Sequence, residues 1–287
     1  ATDTNIAWTR SSFNPWIGCT RIGPGCDGCY AAVSTPARSL DIEWGAGKPR
    51  HRTTDKNWYG PNRWNAFAPH FTFAGRKGFW PVFCASLADV FDNEVPDKWR
   101  DDLWDLIRAT PNLTWQLVTK RVGNIEKMLP QDLRERRSVW LIITVTDQEE
   151  ADRDVPKLLA LEGKNLLGIS YEPALGPVDW TRIGGKNAIA YQMFRLVPKR
   201  IEWIIIGGES DQKGHVTRPF DIEWARSTIA QCKAAGVAVF VKQLGSRPVS
   251  FNTSPHDNKL YDVALRDRAG ADPSEWAADL RVQEFPT

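Results

Sequence analysis

Three cysteines within eleven residues are the strongest chemical feature of this chain: Cys19, Cys26 and Cys29, spaced C-x6-C-x2-C. The loop between them carries Gly23, Pro24, Gly25 and Gly28. Glycines let a backbone wrap closely around a bound centre and reach φ > 0 where needed. Three thiols cannot pair off, and a two-residue gap favours shared coordination of one centre over a disulfide. The loop therefore reads as a metal or iron–sulfur site with one coordination position left for something else. A zinc site completed by His51, His70 or Asp27 is the competing reading, and it predicts a structural or nucleic-acid-binding role. Against zinc stand the wide first gap and the lack of a second C-x2-C pair.

Further candidates stand where apolar runs end. They are Ser86 and Asp89, Lys120 and Arg121, Thr144, Glu172, Glu209 beside Gly207 and Gly208, and Lys242. In β/α folds the chemistry gathers at the carboxyl ends of strands, so these residues read as one polar rim. Gly207 and Gly208 would let a ligand approach the backbone. Plain structural roles are open as well: Asp89 as a helix N-cap, Lys120 and Arg121 as solvated charges. A third reading takes Asp89, Glu172 and Glu209 as the carboxylates of a divalent-metal hydrolase, leaving the cysteines without a catalytic part.

The elements that must position these residues alternate along the chain. Apolar runs at Pro81–Ser86, Leu113–Thr119, Val139–Val145, Leu166–Ser170, Trp203–Ile206 and Val237–Val241 read as six buried strands. Helical spacing covers Pro96 to Ala109, Val122 to Leu129, Asp147 to Leu161 and Asp221 to Ala235, the last ending at Gly236. Such alternation predicts a parallel sheet covered on both faces. With a short strand near Ile17 the sheet has six or seven strands. The expected fold is an open or partial (β/α) barrel, with a flat doubly wound sheet as the alternative. Residues 1–245 would form the barrel, and residues 246–287 a polar, loop-like extension packed on it.

The chain has 287 residues, 42% hydrophobic, with Lys+Arg 37 against Asp+Glu 35. A net charge of +2 argues against an electrostatic binder of histone type. No apolar stretch reaches the ~20 residues of a membrane helix, and the first residues lack a signal-peptide core. Cys84 and Cys232 read as buried free thiols. A soluble protein of the reducing cytoplasm is the expectation. Residues 44–80 form an insert with seven Lys/Arg, among them Arg50, Arg52 and Arg63, one acid, Asp55, and nine aromatics. Cations interleaved with aromatics can follow a phosphate backbone and stack on bases. The same aromatics could instead pack down as a lid.

Several blocks resemble a phage-associated, bacterially widespread family of uncharacterised three-cysteine proteins. They are Asn5-Ile6-Ala7-Trp8-Thr9, Phe13-Asn14-Pro15-Trp16, Pro24-Gly25-Cys26-Asp27-Gly28-Cys29-Tyr30-Ala31, Ser86-Leu87-Ala88-Asp89, Leu117-Val118-Thr119-Lys120-Arg121, Glu172-Pro173-Ala174-Leu175-Gly176-Pro177, Gly207-Gly208-Glu209-Ser210 and Ser274-Glu275-Trp276. Phe13 stands where Trp is usual in that family, and Ala277 where Pro is usual. The family is similar, distantly, to radical S-adenosylmethionine enzymes, although their cysteine spacing is C-x3-C-x2-C. The resemblance implies a [4Fe–4S] cluster on Cys19, Cys26 and Cys29 that cleaves S-adenosylmethionine with an electron from flavodoxin or ferredoxin. It implies cofactor contacts from Ser86, Asp89, Thr144, Glu172 and Glu209. It further implies catalytic roles for Glu172, Glu209, Lys120 and Lys242, on a nucleic acid or nucleotide.

Overall fold

The computed structural model describes residues 4–189, 200–251 and 260–287. Seven strands form one sheet: β1 (Ser11–Phe13), β2 (Pro81–Cys84), β3 (Thr114–Thr119), β4 (Val139–Thr144), β5 (Leu166–Tyr171), β6 (Trp203–Gly207) and β7 (Ala238–Gln243). Their spatial order follows the chain order from β1 to β7 without reversal, and neighbours pair in parallel. A doubly wound sheet reverses its order at a switch point, whereas a β/α barrel does not. The unreversed order is that of the open β/α barrel, not of the flat alternative.

The longer helices among the described residues alternate with these strands: α1 (Asp55–Phe67), α2 (Asp97–Ala109), α3 (Val122–Met128), α4 (Gln148–Ala160) and α5 (Ile222–Ala235). All six residues of β4 and of β5 are buried, as strands covered on both faces must be. In α2 the buried positions Leu103, Trp104, Leu106 and Ile107 recur at helical spacing and turn one face to the core.

Contacts resolve the chain into two compact units. The first, Ala1–Ile22 with Ala31–Ile143 and Leu161–Leu166, holds β1 to β3, most of β4, and α1 to α3. Its core centres on Phe13, Phe91, Trp104 and Trp115, all fully buried. Phe13 meets Trp115 edge-on at 5.8 Å, and Trp115 Nε1 donates to Thr110 Oγ1 at 3.1 Å, so the indole is buried without an orphaned donor. The second unit, Gly23–Tyr30, Thr144–Ala160 and Leu167–Thr287, holds most of β5, all of β6 and β7, and α4 and α5. There Trp180 packs edge-on against Tyr171 at 5.6 Å and donates from Nε1 to Thr228 Oγ1 of α5 at 3.2 Å.

Two expectations need correction. The strand that joins the sheet ahead of the cysteines is Ser11–Phe13; Trp16–Ile17 pairs antiparallel with His51–Arg52 in a separate ladder. A two-residue apolar fragment carries no signal of its partner. The stretch after Ser246 is also more than loop. Pro248–Phe251 and Leu260–Asp262 join Phe220–Asp221 in a three-stranded sheet. Farther on, Val282 O accepts from Val241 N at 2.8 Å, and Glu284 N donates to Val239 O at 3.0 Å, which covers the free edge of β7. Among the described residues no helix is long and apolar enough to cross a membrane.

Candidate functional site

Side chains alternate along a strand, so Ser170 and the following Glu172 share a face at the end of β5. Lys242, two strands away on β7, reaches back over β6. Its Nζ lies 3.1 Å from Glu172 Oε1, and Ser170 Oγ donates to Oε2 at 3.4 Å. Both side chains of the ion pair are largely covered. Oε1 is nonetheless buried without an aligned hydrogen bond, so it keeps acceptor capacity. Gly207 of β6 makes this crossing possible: a Cβ there would stand 2.5 Å from Glu172 Oε1. The neighbouring Gly208 likewise faces Leu244 O, at 2.5 Å from an added Cβ. At both glycines the close approach seen is that of the protein's own atoms.

Glu209, just past β6, is buried. Arg218 surrounds it, donating from its backbone N–H and Nε to Oε2 at 2.9 and 3.1 Å and from Nη2 to Oε1. His215 Nε2 lies 3.0 Å from the same Oε2. Burial acts to raise the carboxyl pKa, but the Arg218 and His215 donors outweigh it and hold Glu209 below the ordinary carboxylate value. Arg218 also reaches the cysteine loop, where Nη1 donates to Pro24 O at 3.0 Å and faces Asp27 at 3.6 Å. An added Cβ at Gly28 would come within 2.7 Å of Glu209 Oε1 and 2.6 Å of the His215 ring. The segment with Cys26 and Cys29 is thus seated on Glu209, His215 and Arg218. None of Gly23, Gly25 and Gly28 takes a positive φ; Gly28 is needed for close approach, not for a left-handed turn.

In the first unit, Arg121 donates from Nη1 to Cys19 Sγ at 3.4 Å and to Asp89 Oδ2 at 3.0 Å, and from Nη2 to Thr20 O at 2.8 Å. Burial and the nearby Asp89 charge push the Cys19 thiol up to about 12, with Arg121 pulling the other way. Asp89 accepts from Phe91 N, Thr119 Oγ1, Lys120 N and Arg121 Nη1. That carboxylate is saturated: it stitches the ends of β2 and β3 together. Asp89 caps no α-helix, since α2 starts only at Asp97. Ser86 is engaged with Asn14, whose Nδ2 donates to its Oγ at 3.0 Å. Thr144 is buried at the end of β4, and the Lys120 side chain is half-buried with no ion pair among the described residues.

A family model matches residues 3–269. The chain belongs to the DUF5131 family, whose description is a protein of unknown function. No curated protein matches this DUF5131 chain, and no solved structure matches it.

The donor set of this DUF5131 member is three sulfurs, which suits zinc or an iron–sulfur cluster rather than magnesium or calcium. All five cysteines are free thiols. Cys26 is buried, Cys19 and Cys29 half-buried; Cys84 and Cys232 are buried thiols of the core, and burial raises Cys232 to about 12. Among the described residues no three His, Cys, Asp or Glu side chains are gathered as a metal-holding group. The donor chemistry fits a cluster; the fourth-ligand candidates fit zinc poorly. Asp27 faces Arg218, while His51 and His70 are exposed. The three carboxylates of the hydrolase reading each stand beside a cation: Arg121 for Asp89, Lys242 for Glu172, Arg218 for Glu209.

The insert is less basic in three dimensions than in sequence. Arg50 is buried on Asp92, Glu94 and Thr20. Arg52 pairs with Asp102 at 3.0 Å and lies over the Trp58 ring at 3.9 Å. Phe79 and Trp80 are buried, with Phe79 against Trp140 at 5.7 Å. Arg50 and Arg52 therefore support the fold, not a phosphate backbone. Sequence reasoning missed Arg218, His215 and Asn14; it put Arg121 on the polar rim, with a solvated charge as the alternative, without naming its partners. The one available signal was general: a buried carboxylate demands a cation or donors, and only folding says which.

Proposed function

We propose that this DUF5131 protein is an iron–sulfur enzyme of the radical S-adenosylmethionine type acting on a nucleotide or nucleic acid. Cys19, Cys26 and Cys29 would hold three irons of a [4Fe–4S] cluster, leaving the fourth for the amino and carboxylate groups of S-adenosylmethionine. The observation that carries this reading is the trio of free thiols in one short loop, attached to an open parallel β/α sheet. The chemistry supplied by a bound cluster is delivery of one electron, drawn from a flavodoxin- or ferredoxin-type donor, to break a carbon–sulfur bond of S-adenosylmethionine.

The chain's own residues bind and orient. Glu172 Oε1, ion-paired yet short of an aligned donor, accepts a hydroxyl or amino hydrogen of the bound molecule. Lys242 and Lys120 offset anionic groups. Asp89 and Glu209 act at one remove, fixing Arg121 beside Cys19 and Arg218 beside Pro24.

Anaerobic reconstitution with iron and sulfide tests the reading. A brown protein with about four irons and about four acid-labile sulfides per chain is expected, forming 5′-deoxyadenosine and methionine on reduction with S-adenosylmethionine. Changing all three cysteines to Ser should abolish iron uptake. One colourless zinc per chain, or no tight metal, overturns the reading.

A further inference from the structure

Two large aromatic rings are left in water on the same side of α1. Tyr59 is 63% exposed and Phe67 60%, and eight residues separate them, about 12 Å along the axis. Arg63 lies midway, and Lys56 one turn earlier; at 100° per residue these four positions span about 80° of the helix surface. The buried positions Trp64 and Pro61 lie outside this stripe, about 60° and 120° around the helix from Phe67. The helix therefore docks on the protein through one face and offers an aromatic–cation–aromatic stripe on another.

Neither Lys56 nor Arg63 forms an ion pair among the described residues, in contrast to Arg50 and Arg52 of the same insert. Asp55 is the only acid in the insert, so the stripe is cationic. Exposed rings alternating with free cations match a single nucleic-acid strand, where bases stack on rings and phosphates meet the charges. Duplex DNA would hide its bases from such rings, and only two apolar side chains give too little area to enter a membrane.

We infer that the solvent face of α1, through Tyr59, Arg63, Phe67 and Lys56, is a binding platform for single-stranded nucleic acid. It rests on the proposed function only for the substrate class, which it narrows; the cluster has no part in it. The test is fluorescence anisotropy of a labelled fifteen-nucleotide oligo-dT and its RNA counterpart, with the metal-free chain at low salt. Y59A/F67A should weaken binding at least tenfold. K56A/R63A should weaken it and lower the salt slope by about 0.7 per cation removed. All four side chains are exposed, so the variants should keep the wild-type melting temperature.

Wild-type-like binding by Y59A/F67A, equal affinity for duplex, or no binding by the wild type overturns the platform. So does loss, in the same variant, of a self-associated dimer or of adsorption to phosphatidylserine vesicles in place of strand binding. Failure here leaves cluster reconstitution untouched, and failure of reconstitution leaves this binding measurable.

Discussion

Glu172 and Lys242 meet at 3.1 Å across an intervening strand, above Gly207. Strands lie about 4.8 Å apart, so partners two strands away are separated by nearly 10 Å of backbone. They touch only because the residue between them has no side chain. The pair gives the end of the sheet an anchored carboxylate whose charge is offset, yet whose Oε1 keeps acceptor capacity.

Gly207→Ala tests this crossing directly. The added Cβ forces the Glu172 carboxylate aside, and overpacking of this kind costs about 1–3 kcal/mol. Urea denaturation should show the loss. A double-mutant cycle on Glu172→Gln and Lys242→Met should return a coupling of about 1–2 kcal/mol. Additive single effects would mean that the pair contributes nothing.

Arg218 ties the loop of Cys26 and Cys29 to Glu209. Arg218→Met should free Gly23–Tyr30, speeding amide hydrogen exchange there at least tenfold. Exchange in β7 should change far less. It should also lower iron uptake during reconstitution. Unchanged loop exchange would show that Arg218 serves Glu209 alone.

Arg121 donates to the Cys19 sulfur, and hydrogen bonds to ligating sulfurs raise a cluster's reduction potential. In the reconstituted protein, Arg121→Lys should therefore lower the potential, because Lys keeps the charge beside Asp89 but loses the two-pronged reach to Cys19 and Thr20. A redox titration followed by electron paramagnetic resonance reads this. A potential equal to wild type would remove the tuning role.

Asp221 caps α5, accepting from Glu223 N at 3.0 Å, but burial raises its carboxyl above the ordinary 3.8. A raised folded-state value means that the native state holds the proton more tightly. Its stabilising contribution is thus full below 3.8 and disappears as pH rises through the folded value. At pH 7 the buried charge is a cost. Asp221→Asn keeps the cap, so stability at pH 7 should be equal or higher. The variant should also lose part of the gain on moving from pH 7 toward pH 4. Destabilisation by more than about 1 kcal/mol at pH 7 would reverse this account.

The strands of the sheet were legible because burial on both faces needs continuous apolar runs such as Val139–Thr144, a pattern local to each segment. Helices α2 and α5 announce themselves through periodicity and end signals in the same way. The edge strand was not legible: Ser11–Phe13 has three residues, two of them serines, and only its partner Pro81–Cys84 makes it a strand. Candidate rim residues could be named from position after each run. Their roles could not, since Asp89, Glu172 and Glu209 look alike in sequence.

By itself the sequence determined the three-thiol loop, the β/α alternation and the polar ends of the strands, because spacing and hydrophobic period are properties of short segments. Tertiary structure alone decided that Arg50 is buried in an ion-pair network while Arg63 has no ion pair among the described residues, that Gly207 and Gly28 make room for carboxylates, and that Arg121 and Arg218 serve Cys19 and Pro24. Those partners lie far apart along the chain, 102 residues for Cys19 and Arg121 and 194 for Pro24 and Arg218. Which charge a buried group finds depends on chain closure, and no local pattern encodes it.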